Sequence, residues 1–223
     1  MKIGVMVGAM GMAAAAQAGF PTICATLNSV NPGSNGQYSL DSGANWQGTG
    51  TAGLFNWTRT GGTYSGAQGE FMSFCTELGE HVSYGSNYCY DINPLHMAPS
   101  SLGGMGMGKA ALVRELFGRY YSPAFGSVLS ADRATAMQLS IWEIVFENGG
   151  SLDLTAGNAQ FTNDNGAALV LAQAYLASLD GTGPMHQGLS VMVANGVQDH
   201  IIPAPSVMAL MGMGVMVAGR RRR

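Results

Sequence analysis

The most informative segment of the chain reads ADRATAMQLSIWEIVF and spans residues 131–146. Ser130 is suited to cap the start of a helix, and Asp132 adds a negative charge in the first turn. Side chains then recur at helical spacing and define one mainly apolar face, formed by Ala134, Met137, Gln138, Ile141, Trp142, Ile144 and Val145. This pattern predicts a helix over 131–146 that buries the face against the rest of the protein.

Gln138 is the polar exception on that face. It lies one turn after Ala134 and one turn before Ile141 and Trp142, so its amide is predicted to be buried. A buried amide without hydrogen-bond partners costs a few kcal/mol. Two explanations are open: the amide bonds to the backbone of a sheet, or a cysteine thiol has captured its carbonyl carbon with loss of ammonia.

Cys75 is the candidate thiol. It lies within FMSFCTEL, residues 71–78, where apolar residues on both sides predict an interior strand. The chain has three cysteines, Cys24, Cys75 and Cys89. In an oxidising compartment an odd count leaves at least one of them unpaired or otherwise occupied.

The segments around these two residues resemble the two signatures of bacterial thioester domains. Phe74-Cys75 is similar to the aromatic–cysteine pair, and Gln138 followed by x-x-Ile141-Trp142 is similar to the helical signature. Both their order and their separation agree with that family, and the resemblance covers about residues 53–180.

The resemblance implies a surface-adhesin fold in which a Cys75–Gln138 thioester joins a β portion to a helical portion. Phe74 and Trp142 would then keep water from the bond. If the bond forms, Cys24 and Cys89 remain as a pair for a disulfide. If it does not, Cys75 is expected to pair with one of those two.

Strand patterns dominate from Pro21 to about Asp91. Short aromatic and β-branched runs, separated by Gly, Asn and Ser clusters, predict strands that include residues 53–58, 69–78 and 81–84. Further on, helical spacing predicts three helices, and a strand-like segment then returns toward the sheet; these elements cover about 109–121, 131–146, 165–179 and 188–193. Strands followed by helices indicate an α+β fold, with an N-terminal β-sandwich or barrel-like part and a three-helix part.

The N-terminal segment resembles a signal peptide. Met1-Lys2 provides a positive start, residues 3–16 are small and apolar, and Ala16-Gln17-Ala18 places small residues where a signal peptidase reads. We therefore expect cleavage before Gly19 and export of a single domain over residues 19–202.

The C-terminal segment, 203–223, has three parts. Pro203-Ala204-Pro205 comes first, an apolar run follows over 206–219, and the chain closes with Arg220, Arg221, Arg222 and Arg223. The apolar run is shorter than the roughly 20 residues that span a bilayer comfortably, and arginines beside such a run stay on the cytoplasmic side. A short tail anchor is one interpretation.

The three parts also resemble the PEP-CTERM sorting signal of Gram-negative bacteria, although Ala204 replaces the usual glutamate. This resemblance implies a C-terminal transmembrane helix, processing by an exosortase-type enzyme, and an association with exopolysaccharide or other surface molecules of a biofilm matrix.

Composition argues against other classes of function. The net charge is −3 and only 10% of residues are charged, so a basic face for nucleic acid is not expected. The spacing of Cys75, His81, Cys89 and His96 matches no common zinc pattern, and no Gly-x-Ser-x-Gly elbow is present. The sequence predicts no catalytic residues, no metal and no cofactor, and the protein is not expected to be an enzyme.

The sequence therefore predicts an exported surface or biofilm-matrix protein that attaches covalently, once, to an amine or hydroxyl through Cys75 and Gln138. The alternative is a non-covalent structural or glycan-associated matrix protein with an unreactive Gln138.

Overall fold

The aromatic and β-branched segments form one antiparallel sheet of seven strands. The computed structural model describes residues 19–99, 105–121 and 131–203. In chain order the strands are β1 (Thr22–Ser39), β2 (Gln47–Gly61), β3 (Glu70–Cys75), β4 (Asn87–Pro94), β5 (Gln160–Asn163), β6 (Leu189–Val193) and β7 (His200–Pro203). Their order in the sheet is β2-β3-β7-β6-β4-β1-β5, and β1 also pairs with β2. Six strands thus form a closed circuit, and β5 extends from β1.

The long hairpin of β1 and β2 makes this closure feasible. Ile23, Ala25 and Leu27 are buried in alternation along β1, because successive side chains of a strand point to opposite faces. Four shifts of register interrupt the pairing of β1 with β2. Bulges of this kind bend and twist a strand, so β1 pairs with β4 near its start and with β5 near its end.

Within the described ranges, three α-helices pack with the sheet: α1 (Gly106–Tyr120), α2 (Ala131–Phe146) and α3 (Gly166–Ala177). The predicted bounds of α2 are confirmed. It lies between β1, β2 and β3 and the other two helices. Every residue from Ala134 to Phe146 is buried, so α2 is enclosed on all sides and not only along the predicted face.

The structure differs from the predicted strands in three places. Residues 81–84, predicted as a strand, form a loop, because Val82 alone packs on the core there. The strand predicted over 69–78 is the shorter β3. Strands β5 and β7 were not predicted, since four residues are too few to show a period. These late strands join the same sheet, so the β part is not confined to the N-terminal half.

The predicted signal peptide, residues 1–18, and the sorting segment from Ala204 to Arg223 lie outside the described residues. Pro203 is described and is the last residue of β7. None of the helices in the described ranges is both long and apolar enough to cross a membrane.

Candidate functional site

The structure brings Gln138 and Cys75 together. The side-chain amide of Gln138 pairs with the backbone of Cys75 in both directions. Its Oε1 accepts from the Cys75 N–H at 2.9 Å, and its Nε2 donates to the Cys75 carbonyl at 2.8 Å. Both residues are fully buried. The two residues that the sequence singled out, 63 positions apart, therefore meet in the interior.

The pairing of strand β3 explains why the backbone N–H and carbonyl of Cys75 can bond to a side chain. The ladder between β2 and β3 ends at the pair Phe55–Ser73. The Thr76 N–H donates to Asp199 on the β7 side at 2.9 Å. Since backbone groups of successive residues point to opposite edges of a strand, those of Cys75 point to the edge where β2 no longer pairs. The Gln138 amide occupies that edge in place of a strand.

The Cys75 thiol is held beside the backbone of Glu77. It donates to the Glu77 carbonyl at 2.8 Å, and its sulfur accepts from the Glu77 N–H at 3.1 Å. Burial raises the pKa of the Cys75 thiol well above its usual range, which the Glu77 backbone and the Trp142 side chain partly oppose. The thiol is therefore protonated at neutral pH.

The two predicted aromatic neighbours have different roles. Trp142 lies against the thiol, and its ring stacks on Phe161 of β5 at 6.2 Å between centroids. The Trp142 Nε1 makes no well-formed hydrogen bond within the described residues, so its polar contact with sulfur is weak. Phe74 faces the other side of β3, where its ring meets Phe117 of α1 edge-on at 5.8 Å. Phe74 thus seals the strand from behind and does not cover the thiol.

Two carboxylates near the thiol were not predicted from the sequence. Glu77 and Asp199 both raise the pKa of Cys75 through their negative charge. Burial, followed by repulsion from Glu77 and Glu80, raises the pKa of Asp199 to about 7. Burial also raises the pKa of Glu77. The site therefore contains a carboxylate whose proton affinity lies near neutral pH, which is a useful property for a proton acceptor.

His200 was also missed by the sequence reasoning, and it lies opposite Cys75 in the pairing of β3 with β7. The imidazole is packed against the rings of Phe55 and Trp57, with centroids 4.6 Å and 5.1 Å away. Burial lowers the pKa of His200 to about 3, so the ring is neutral. Its Nδ1 lies 3.2 Å from Ser73 Oγ, which accepts from Trp57 Nε1. This network lies on the same face of the sheet as the Cys75 side chain, because His200 pairs with Cys75 and Ser73 is two residues away on β3.

The remaining cysteines form a disulfide between Cys24 and Cys89, which are directly opposite each other on β1 and β4. Cys75 is then the free cysteine, and it is buried. The disulfide also occupies one of the four residues weighed as zinc ligands. Within the described part of the chain, no group of three or more metal-binding side chains comes together.

Comparison with known proteins gives little beyond this geometry. No protein-family model matches the chain, and no curated protein matches it either. Among solved structures, the chain is similar to the N-terminal thioester domain of fibronectin-binding protein SfbI from Streptococcus pyogenes. The two are 12% identical, with a TM-score of 0.42, over 80% of this chain and 97% of that domain. At these values the comparison does not bear on function.

Proposed function

We propose that this protein is an exported surface or biofilm-matrix protein in which Cys75 and Gln138 form an internal thioester. The bond would serve for one covalent attachment to an amine or hydroxyl on a neighbouring molecule. One observation carries the proposal: a fully buried glutamine amide is held against the backbone of the free cysteine, by two hydrogen bonds of 2.9 Å and 2.8 Å.

Formation of the bond needs addition of the Cys75 sulfur to the Gln138 carbonyl carbon. The Cys75 N–H already donates to Gln138 Oε1, and this contact strengthens as negative charge develops on that oxygen. The C–N bond then breaks, and the amide nitrogen takes up the thiol proton and leaves as ammonia. Carbon, sulfur and nitrogen are conserved, and no oxidant or reductant is required.

Formation of the thioester also requires a base and the exclusion of water. A protonated thiol is a poor nucleophile, so a base must remove its proton. Asp199 is the candidate for this base in the proposal, because its pKa is raised and its charge acts on the thiol. Full burial of Cys75 and Gln138 keeps water from the product.

In the attachment reaction, the Cys75 sulfur changes from the attacking atom to the leaving group. An incoming amine or hydroxyl adds to the acyl carbon of residue 138, the C–S bond breaks, and Cys75 leaves as a thiol. The new amide or ester is stable and the original amide is not restored. The protein would act once and would not turn over as an enzyme.

A second function is favoured by a specific observation. The Gln138 amide satisfies both backbone groups of Cys75, so its burial is accounted for without any chemistry. In this alternative the protein is a non-covalent structural or glycan-associated component of the matrix, and Gln138 only closes the edge of β3.

Location and partners rest on the two ends of the chain. The signal-like residues 1–18 support export. The segment from Pro203 to Arg223 supports membrane attachment through a C-terminal helix and processing by an exosortase-type enzyme. Exopolysaccharide or another surface molecule is the partner that these signals favour, and nucleic acid is not.

Reaction with methylamine separates the two functions. We expect methylamine to add to residue 138 and to free the Cys75 thiol for alkylation, with both changes located by peptide mass spectrometry. The Cys75→Ala variant should not react. Gln173 is an internal control, because its amide also pairs with backbone, at Leu152 and Leu154, but it should stay unmodified. An unmodified Gln138, beside a Cys75 that is alkylated after unfolding without methylamine, would favour the second function.

A further inference from the structure

A surface groove is lined by two residues, Trp142 and Gln198, that neighbour the buried pair. Its rim is formed by the β2 end of the hairpin and by the loop 80–86, and includes Tyr84, which is 63% exposed. The most deeply buried residues that line it form its floor: Leu27 and Trp142 are each 1% exposed, Phe55 is 5% exposed and Gln198 is 7% exposed.

Two of these floor residues, Gln198 and Trp142, touch the immediate surroundings of the thiol. Gln198 Nε2 donates to the Glu77 carbonyl at 3.3 Å, and the Cys75 thiol donates to that same oxygen. Trp142 lies against the thiol itself. The groove and the sulfur thus have Trp142 and the partner of Gln198, the Glu77 carbonyl, as common neighbours.

We propose that this groove is the entrance by which the acyl acceptor reaches Cys75 and Gln138, and that Gln198 is the side chain that closes it. The inference rests on the proposed thioester. Gln198 is the weaker part of the floor, because the hydrogen bond of its amide to Glu77 is long. The Trp142 ring, in contrast, is fixed by its position in α2 and by its stacking on Phe161.

The lining of the groove defines what can enter. It includes the apolar side chains of Leu27, Val30 and Phe55, and the described lining contains no lysine, arginine, aspartate or glutamate. This lining itself therefore offers a charged group no carboxylate or cationic side chain of Lys or Arg as a partner. The occupant is therefore a slender chain that ends in an uncharged nucleophile, either a hydroxyl or an amine that has given up its proton.

A second depression is the rival entrance. It is lined by residues that include Leu40, Glu80 and Phe146, and it also reaches Glu77. Its carboxylates would attract an ammonium group, but its lining includes neither Trp142 nor Gln198. The two depressions can be blocked separately, because Thr49 lines the first and Leu40 lines the second.

The test compares rates of methylamine-dependent release of the Cys75 thiol in four variants of the full chain. Thr49→Trp should slow release several-fold, whereas Leu40→Trp should leave it unchanged. Gln198→Ala should accelerate release, and the exposed Gln187→Ala should have no effect. Slowing by Leu40→Trp alone, or equal rates for the two glutamine variants, would overturn the entrance.

A second readout keeps this test independent of the thioester. If the unmodified chain shows no loss of ammonia, the proposed attachment fails, and Cys75 is a free thiol. The same four variants are then compared by the rate at which iodoacetamide alkylates Cys75 in the folded protein. That rate depends on the thiolate fraction as well as on access. The two tryptophan variants leave the contacts of the thiol with Glu77 in place, so slower alkylation of Thr49→Trp than of Leu40→Trp is expected if the groove leads to the sulfur, and its absence refutes the route.

Discussion

Replacement of Gln138 by leucine tests the pairing on which the site depends. The change is made in a Cys75→Ala background, so that no covalent bond contributes, and the backbone of residue 75 is retained. Leucine keeps most of the side-chain volume but can neither donate nor accept. It leaves the N–H and the carbonyl of residue 75 buried without partners, since Gln138 supplies both contacts. Each unsatisfied group costs about 1–3 kcal/mol, so the free energy of unfolding should fall by about 2–6 kcal/mol.

Urea denaturation followed by tryptophan fluorescence measures this difference. The matched control is Gln173→Leu in the same background, because Gln173 also bonds to backbone in both directions, at Leu154 and Leu152. Gln173 is only half-buried, so water can replace its contacts and a smaller loss is expected. A loss below about 1 kcal/mol for Gln138→Leu, or a loss no larger than that of the control, would refute the buried pairing.

Two further predictions concern the surroundings of the site. Burial raises the folded-state pKa of Asp199 from 3.8 to about 7, so the stability that its proton provides is present at acid pH and is lost as the pH rises through 7. Urea titrations should therefore show Asp199→Asn gaining stability relative to the parent between pH 5 and pH 8. The same difference in stability between variant and parent at both pH values would contradict the raised pKa. The double variant Cys24→Ala/Cys89→Ala removes a disulfide between residues 65 positions apart. Thermal unfolding should show a free energy of unfolding lower by about 4 kcal/mol, because the unfolded chain gains loop entropy. No loss of stability would mean that the pairing of β1 with β4 holds these residues together without the bond.

The sequence predicts an element reliably where its hydrophobic periodicity extends over many residues. Helix α2 has sixteen residues, and its bounds follow from Ser130, Asp132 and the apolar spacing. The same spacing singled out Gln138 as a buried amide, and the flanking apolar residues of Cys75 identified an interior strand. Their meeting in space, however, depends on where β2 leaves β3, and that register has no local signal.

Other features of the site have no signal in the sequence. His200 and Asp199 come from the short strand β7 and the loop before it, and their proximity to Cys75 arises from the pairing of β3 with β7. The segment 81–84 gave a false signal for a strand, because Val82 and Tyr84 have strand-forming side chains, whereas Tyr84 and the nearby His81 face solvent. The type of a side chain indicates its preference for a strand, whereas the burial of residues 81–84 depends on where they lie relative to the closed circuit of strands.

The intact mass of the purified, non-reduced chain tests the central claim most directly. A Cys75–Gln138 thioester predicts a mass lower by one ammonia than that of the chain with its one disulfide, and no thiol that can be alkylated after unfolding. Cys75→Ala and Gln138→Ala should each show their full calculated mass. A parent chain at full mass, with one thiol titrated after unfolding, would contradict the thioester and leave Gln138 as a structural amide.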